Sequence, residues 1–348
     1  MEGSRKLNLV TERGDAHSSH VSKSTSASNK KMSSARYLVT GGAGFIGSHI
    51  TATLLKQGES VRVFDNYATG RQSNQEAFKG LPGKVEVISG DLRDMAAVTA
   101  AVQGVEVVFH QGALASVPRS IAEPIKSLEV NVNGTNNVLV ASRDAKVRRV
   151  VFACSSSVYG DTPTLPKHEA MPTAPMSPYA IHKLTGELLC GIYTRIYGLE
   201  TVALRYFNVF GPRQDPKSEY AAVIPRFLTA LLNHERPVVF GDGEQTRDFT
   251  YIDNVVQANL LAATAPDAVG EFMNIGCGDR VSLNEVLRAA GELLGVEVNT
   301  EYRAPRAGDV RDSLADISKA RRLLKYNPTI DFKQGLAYTL EALRAGIA

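Results

Sequence analysis

An α/β fold built on a doubly wound parallel sheet, with a smaller and mostly helical C-terminal lobe, is the class this 348-residue sequence predicts. Three observations predict it. From residue 36 short β-branched runs alternate with longer amphipathic segments. The runs are almost continuously apolar, as strands buried on both faces are. The first run leads straight into a glycine-rich turn followed by a helical pattern.

The strand-like runs are RYLVT (36–40), SVRVF (60–64), VEVIS (85–89), VEVVFH (105–110), RVVFACS (149–155) and TVALRY (201–206). Between them, 46–57, 93–102, 133–145 and 179–197 carry helical periodicity. Strands separated by helices imply a parallel sheet covered on both faces. After residue 206 the regularity weakens. A loop rich in Gly, Pro and charge (211–220) precedes helical patterns near 222–233, 253–265, 282–294, 316–325 and 332–346. No internal repeat is present.

Composition narrows the function classes. Lys plus Arg (39) nearly balance Asp plus Glu (36), so no whole-chain basic field recruits nucleic acid or a membrane surface, and any bound anion must be held locally. Cys154, Cys190 and Cys277 are odd in number and without ligand spacing, which suggests free buried thiols in a reducing, cytoplasmic setting. The seven histidines are scattered, so no metal site is expected. No apolar run approaches the ~20 residues of a membrane span. Residues 1–35, which contain SSHVSKSTSASNKKMSS, lack the apolar surface that would offset their ordering entropy and are expected to be disordered. Met32, just before the first strand, is an alternative expected start of translation.

The strand RYLVT runs into GGAGFIGSHI, where Gly42, Gly44 and Gly47 satisfy G-x-G-x-x-G and Gly41, Gly44 and Gly47 satisfy G-x-x-G-x-x-G. Such glycines let a backbone turn sharply and approach a pyrophosphate at a helix N-terminus. Asp65 ends the second strand some 20 residues on, where a carboxylate accepts ribose hydroxyls and repels a 2′-phosphate. NAD is therefore expected over NADP. Asp91, after the third strand, falls where adenine would lie, and a helix N-cap is its other reading. The chain thus divides into an N-terminal extension (1–35), a Rossmann-like NAD domain (36–209, with some later segments returning to it) and a substrate lobe (210–348).

In SPYAIHK, Tyr179 and Lys183 stand four residues apart, on one face of a helix start. A tyrosine needs its pKa lowered by about three units, roughly 4 kcal/mol, to act as a base at neutral pH. An adjacent ammonium and an oxidised nicotinamide are candidate sources. The fifth strand ends on Ser155, Ser156 and Ser157. Strand-end capping is their bland role, assigned here to Ser157.

Together with RYFNVFGPRQDP (205–216) and GDGEQTRDFTYIDNVVQA (241–258), these motifs resemble the extended short-chain dehydrogenase/reductase family over residues 36 to about 345. Within it, the chain is similar to UDP-hexose 4-epimerases, especially those acting on N-acetylated UDP-sugars. The resemblance implies that Tyr179 takes the proton from the sugar 4-hydroxyl as hydride passes from C4 to NAD. Lys183 would hold the nicotinamide ribose and depress the tyrosine pKa, and Ser155 would bond the same 4-oxygen. It places Phe45, Ile46, Asn66, Gly70, Leu92, Gln111, Ala113 and Val209 around the cofactor beside Gly41, Gly44, Gly47, Asp65 and Asp91. Ser116, Ser156, Asn208 and Val223 would border the substrate, with Phe227 near Val223. Arg247 and Arg306 would meet the diphosphate, and Asp309 the uridine ribose. Ser313 would leave room for a 2-N-acetyl group. With serines where relatives that eliminate water or carbon dioxide carry acids, epimerisation is the implied reaction, UDP-glucuronate 4-epimerase the alternative and a non-catalytic dinucleotide sensor a remote one. By analogy, a homodimer would pair the helices near 93–102 and 179–197.

Overall fold

The computed structural model describes residues 35–215, 222–305 and 310–347. The six apolar runs form β1 (Tyr37–Thr40), β2 (Ser60–Asp65), β3 (Lys84–Ser89), β4 (Val107–His110), β5 (Arg149–Ser155) and β6 (Glu200–Tyr206). Shorter strands follow: β7 (Val209–Phe210), β8 (Val238–Phe240), β9 (Thr246–Arg247), β10 (Thr250–Tyr251), β11 (Phe272–Ile275), β12 (Val281–Ser282) and β13 (Glu301–Arg303). The main sheet has seven strands in the order β11-β6-β5-β4-β1-β2-β3, every pairing parallel. Strand order reverses between β1 and β4, and a crevice opens there at the carboxyl ends of the strands. Leu38, Val39, Val63, Val108, Val150 and Val202 are fully buried, which is why these runs are apolar at successive positions. The edge strand β3 departs from this pattern, with Val85 and Val87 about two-fifths exposed.

The helices are α1 (Phe45–Lys56), α2 (Met95–Val102), α3 (Val117–Ala122), α4 (Pro124–Leu128), α5 (Gly134–Asp144), α6 (Pro178–Tyr197), α7 (Val223–Leu232), α8 (Ile252–Ala262), α9 (Leu283–Leu294), α10 (Ser318–Leu324) and α11 (Phe332–Arg344). Local chemistry sets their ends. The Ser177 hydroxyl accepts the Ala180 amide at the start of α6, Pro178 occupies its first turn, and Gly198 (φ 70°) stops it. Reciprocal capping boxes start α9 (Ser282 with Glu285) and α11 (Asp331 with Gln334).

Two expectations change. The C-terminal part is not helix alone: β11 returns to the main sheet, and β7–β10, β9–β12 and β8–β13 form small pairs. Ahead of the helix expected at 133, α3, α4 and a π-helical turn (Glu129–Asn133) already run. Asn131 in that turn accepts the Leu114 amide (2.8 Å) and donates to the Leu114 carbonyl (3.2 Å), fixing the loop after β4. Within the chain α2 buries Val98, Ala101 and Val102 and packs on α5. Exposed apolar side chains include Ile121, Ile125 and Leu128 on α3 and α4, and Ile181, Leu188 and Ile196 on α6.

Candidate active site

A cleft of about 790 Å³ lies over the crevice, and most residues singled out in the sequence line it. Its floor is the turn between β1 and α1. A side chain at Gly47 would put Cβ 2.2 Å from the Gly41 carbonyl oxygen, and one at Gly41 would press to 2.7 Å against the Gly112 backbone. Only glycine allows this closeness. The cap of α1 is Gly44, with no side chain satisfying the helix amides and no acid in the first turn. The helix end can therefore receive an anion. The residues present thus fit the pyrophosphate of a dinucleotide.

The Asp65 carboxylate accepts the amides of Ala43 (2.9 Å) and Tyr67 (2.8 Å), and burial raises its pKa. It therefore shapes the glycine turn as well as lining the cleft. Gly70 does not line the cleft; a Cβ there would lie 2.9 Å from the Asp65 oxygens, so its place is behind that carboxylate. Asp91 lines the cleft with Asn66, which donates to it (2.9 Å). Arg93 beside it holds its carboxyl well below the usual range. Asp91 is not the helix cap: Asp94 accepts the Ala96 and Ala97 amides and begins α2. Phe45, Ile46, Leu92, Ala113 and Val209 line the cleft, as does Gln111, whose side chain is engaged with Tyr206 and Asn259.

At the chemical end, β5 delivers Ser155 and α6 delivers Tyr179, whose amide donates to Ser120 Oγ (3.0 Å). Ser155 and Tyr179 line the same cleft, and Ser155 is the neighbour that opposes burial in its effect on the Tyr179 phenol. One expectation is corrected here. Capping falls to Ser155, not Ser157: its Oγ accepts the Ser157 amide (3.2 Å), and the Ser157 hydroxyl donates to it (2.9 Å). Lys183 is not among the residues that line the cleft. Its buried Nζ donates to the Ala153 carbonyl (2.8 Å), 5.9 Å from the Tyr179 ring centre. Burial pushes the Tyr179 phenol up to about 12, with Ser155 as the opposing influence, and lowers Lys183 to about 8.

On the substrate side, Ser116, Ser156, Asn208, Arg247 and Ser313 line the same cleft. Ser116 also caps α3 by accepting the Arg119 amide. Val223 and Phe227 line an adjoining cavity of about 240 Å³ that shares Asn208 and Arg247 with the cleft. Arg306 and Asp309 lie outside the described residues. Seven basic side chains but three carboxylates line the cleft among the described residues, so a chain of near-neutral balance meets anions locally. Free cysteines occupy all three positions, with Cys277 only partly buried rather than fully. Among the described residues no His, Cys, Asp and Glu group is arranged to hold a metal, and no helix is long and apolar enough to cross a membrane.

Two residues that sequence reasoning passed over also belong here. Asp248 is fully buried and accepts the amides of Cys277 (2.8 Å), Gly278 (3.0 Å) and Ala315 (3.1 Å), tying the segment of Arg247 to that of Ser313. Its adjacency to Arg247 was the available signal. Lys167, 1% exposed, lines the cleft from a loop without periodicity, and nothing in its local sequence marks it.

The family profile described as "NAD dependent epimerase/dehydratase family" matches residues 37–276. The chain belongs to this family. A putative UDP-glucose 4-epimerase of Methanocaldococcus jannaschii is 40% identical over 301 residues, covering 86% of this chain and 95% of that protein. A solved UDP-N-acetylglucosamine 4-epimerase from Methanobrevibacter ruminantium M1, in complex with UDP-N-acetylmuramic acid, superposes with a TM-score of 0.84 at 38% identity, covering 90% of this chain and all of that one. MoeE5 in complex with UDP-glucuronic acid and NAD gives 0.81 at 35% identity, covering 89% of this chain and 99% of that one. As in the rest of the NAD dependent epimerase/dehydratase family, NAD is the cofactor, and the glycine turn and Asp65 are the residues that suit it.

Proposed function

We propose that the protein is a UDP-hexose 4-epimerase that interconverts UDP-GlcNAc and UDP-GalNAc, with UDP-Glc and UDP-Gal as slower substrates. The single observation that carries the reading is the all-hydroxyl chemical end. Ser155 and Tyr179 line the cleft together, and the carboxylates lining it among the described residues are Asp65, Asp91 and Asp215. None of these belongs to the serine turn, so a 4-keto sugar held there meets no acid–base pair for elimination. Bound NAD supplies the acceptor and donor of hydride. Tyr179 removes the proton from the 4-hydroxyl and returns it to that oxygen once the 4-keto sugar has turned its other face to receive the hydride, and Ser155 holds the same oxygen. Lys183, whose Nζ donates to Ala153, would hold the nicotinamide ribose. Arg247 meets the diphosphate, Asn208 and Val223 border the nucleotide, and Ser313, 5% exposed, leaves space for the acetamido group.

Turnover of UDP-GlcNAc, UDP-Glc and UDP-GlcA tests the reading, with Ser313→Tyr as its specificity control. The variant is expected to lose N-acetyl turnover while retaining UDP-Glc turnover; unchanged N-acetyl turnover refutes the gate. The exposed apolar side chains of α3, α4 and α6 support a homodimer built on that face. Leu188→Glu is then expected to sediment as a monomer, and a variant that still sediments as a dimer refutes it.

A further inference from the structure

Lys167 is a buried cation that the mechanism above does not use. Its backbone is stitched to the segment following Ser313: its amide donates to the Leu314 carbonyl (2.8 Å), and its carbonyl accepts the Asp316 amide (2.9 Å) and the Asn274 side chain (2.8 Å). The side chain runs from there to the serine turn, where Nζ donates to the Gly160 carbonyl (2.8 Å). An ammonium has three donors. Among the described residues Gly160 is the acceptor it finds, and no carboxylate comes within ion-pair distance. The charged groups facing it are Asp161, Asp312 and Arg247. Asp161 accepts the Arg311 amide (3.1 Å), and Asp312 accepts from Thr246 (2.6 Å), so both carboxylates are committed elsewhere. Burying an ammonium with one neutral acceptor is costly unless something else completes its shell. Lys167 lines the cleft with Gly160 and Ser313, so the remaining donors are available to a ligand.

We propose that Lys167 reads the hexose, donating a charge-assisted hydrogen bond to the oxygen carried by the sugar's 2-substituent beside Ser313. The inference rests on the 4-epimerase reading for the identity of the sugar. Lys167 then selects and Ser313 permits: the small side chain provides the space, and the ammonium rewards an acetamido carbonyl that fills it. A hydroxyl at the same carbon is shorter by an acyl group and does not extend to Nζ. Preorganisation comes from the bond of Nζ to the Gly160 carbonyl and from burial of the side chain, which leave it little freedom to lose on binding.

Calorimetric dissociation constants of the NAD-loaded, full-length protein for UDP-GlcNAc, UDP-Glc, UDP-GlcA and UDP test this without depending on turnover. In Lys167→Met the UDP-GlcNAc constant is expected to rise about 10-fold or more. Those for UDP-Glc and UDP should stay within about 2-fold, and Lys167→Gln, which keeps a donor, should recover part of the loss. If the Met variant does not fold, the Gln variant carries the same comparison, with a smaller but selective loss. Equal weakening for all ligands, a loss confined to UDP-GlcA, or no weakening overturns the proposal and leaves Lys167 a brace for Gly160. Wild-type binding of UDP-GlcNAc without epimer formation overturns the epimerase reading instead, while the constants still decide the role of Lys167.

Discussion

Gly47→Ala is the smallest perturbation that should separate cofactor binding from folding. The added Cβ would lie 2.2 Å from the Gly41 carbonyl oxygen, 2.8 Å from the Gly41 carbonyl carbon and 2.9 Å from Gly42 Cα, all backbone atoms. A carbon–oxygen contact relaxes at about 3.3 Å. The turn and α1 must therefore separate by about 1 Å. The Gly41 carbonyl also accepts the Gly44 amide (3.0 Å), so the shift strains the bond that shapes the turn. Overpacking of this kind costs about 1–3 kcal/mol of stability, which a domain of ordinary stability survives. Binding suffers more. If two amide-to-phosphate hydrogen bonds are lost at about 1.5–3 kcal/mol each, affinity for NAD falls by about 10²-fold to 10⁴-fold. Cofactor released from the purified variant, measured against wild type with circular dichroism as the folding control, reads the effect. A folded variant that retains NAD at wild-type affinity would refute the steric reasoning.

Tyr179→Phe keeps the ring and removes the hydroxyl assigned to proton transfer in the cleft beside Ser155. The expected result is a turnover loss of about 10²-fold to 10⁴-fold with NAD retained and KM little changed, and a loss carried by KM alone would contradict a proton-transfer role. Asp248 gives a pH test. Burial raises its carboxyl to about 6, above the ordinary 3.8, so between those values the folded state holds a proton that the unfolded chain has released. Its contribution to stability therefore falls as pH rises through that window. Unfolding free energies at pH 4.5 and 6.5 should show this fall in wild type relative to Asp248→Asn, and a relative rise would overturn the sign.

The legible part of the fold is the part governed by periodicity and capping. The β-branched runs became strands because each lies inside a sheet covered on both faces, and Ser177-Pro178 and Gly198 bound α6 as such residues do. β11 was missed because its four residues, Phe272–Ile275, follow helices and carry Asn274, a polar residue bonded internally to Tyr159. At the site, the joint role of Tyr179 and Ser155 came from the family resemblance, and the glycine turn was readable from spacing. The electrostatics were not: a Tyr-x3-Lys spacing shows that two side chains share a face, but Lys183 instead reaches back to the Ala153 carbonyl. Lys167 and Asp248 owe their roles to segments 147 and 67 positions away, at Leu314 and Ala315, which no local pattern reveals.

The central claim is tested most directly by incubating the purified protein, without added cofactor, separately with UDP-GlcNAc, UDP-Glc and UDP-GlcA and resolving the C4 epimers. The account predicts UDP-GalNAc formation from UDP-GlcNAc at the highest rate, slower UDP-Gal formation from UDP-Glc, and no net accumulation of a keto sugar. A protein that holds NAD yet forms no epimer from any of the three would contradict it.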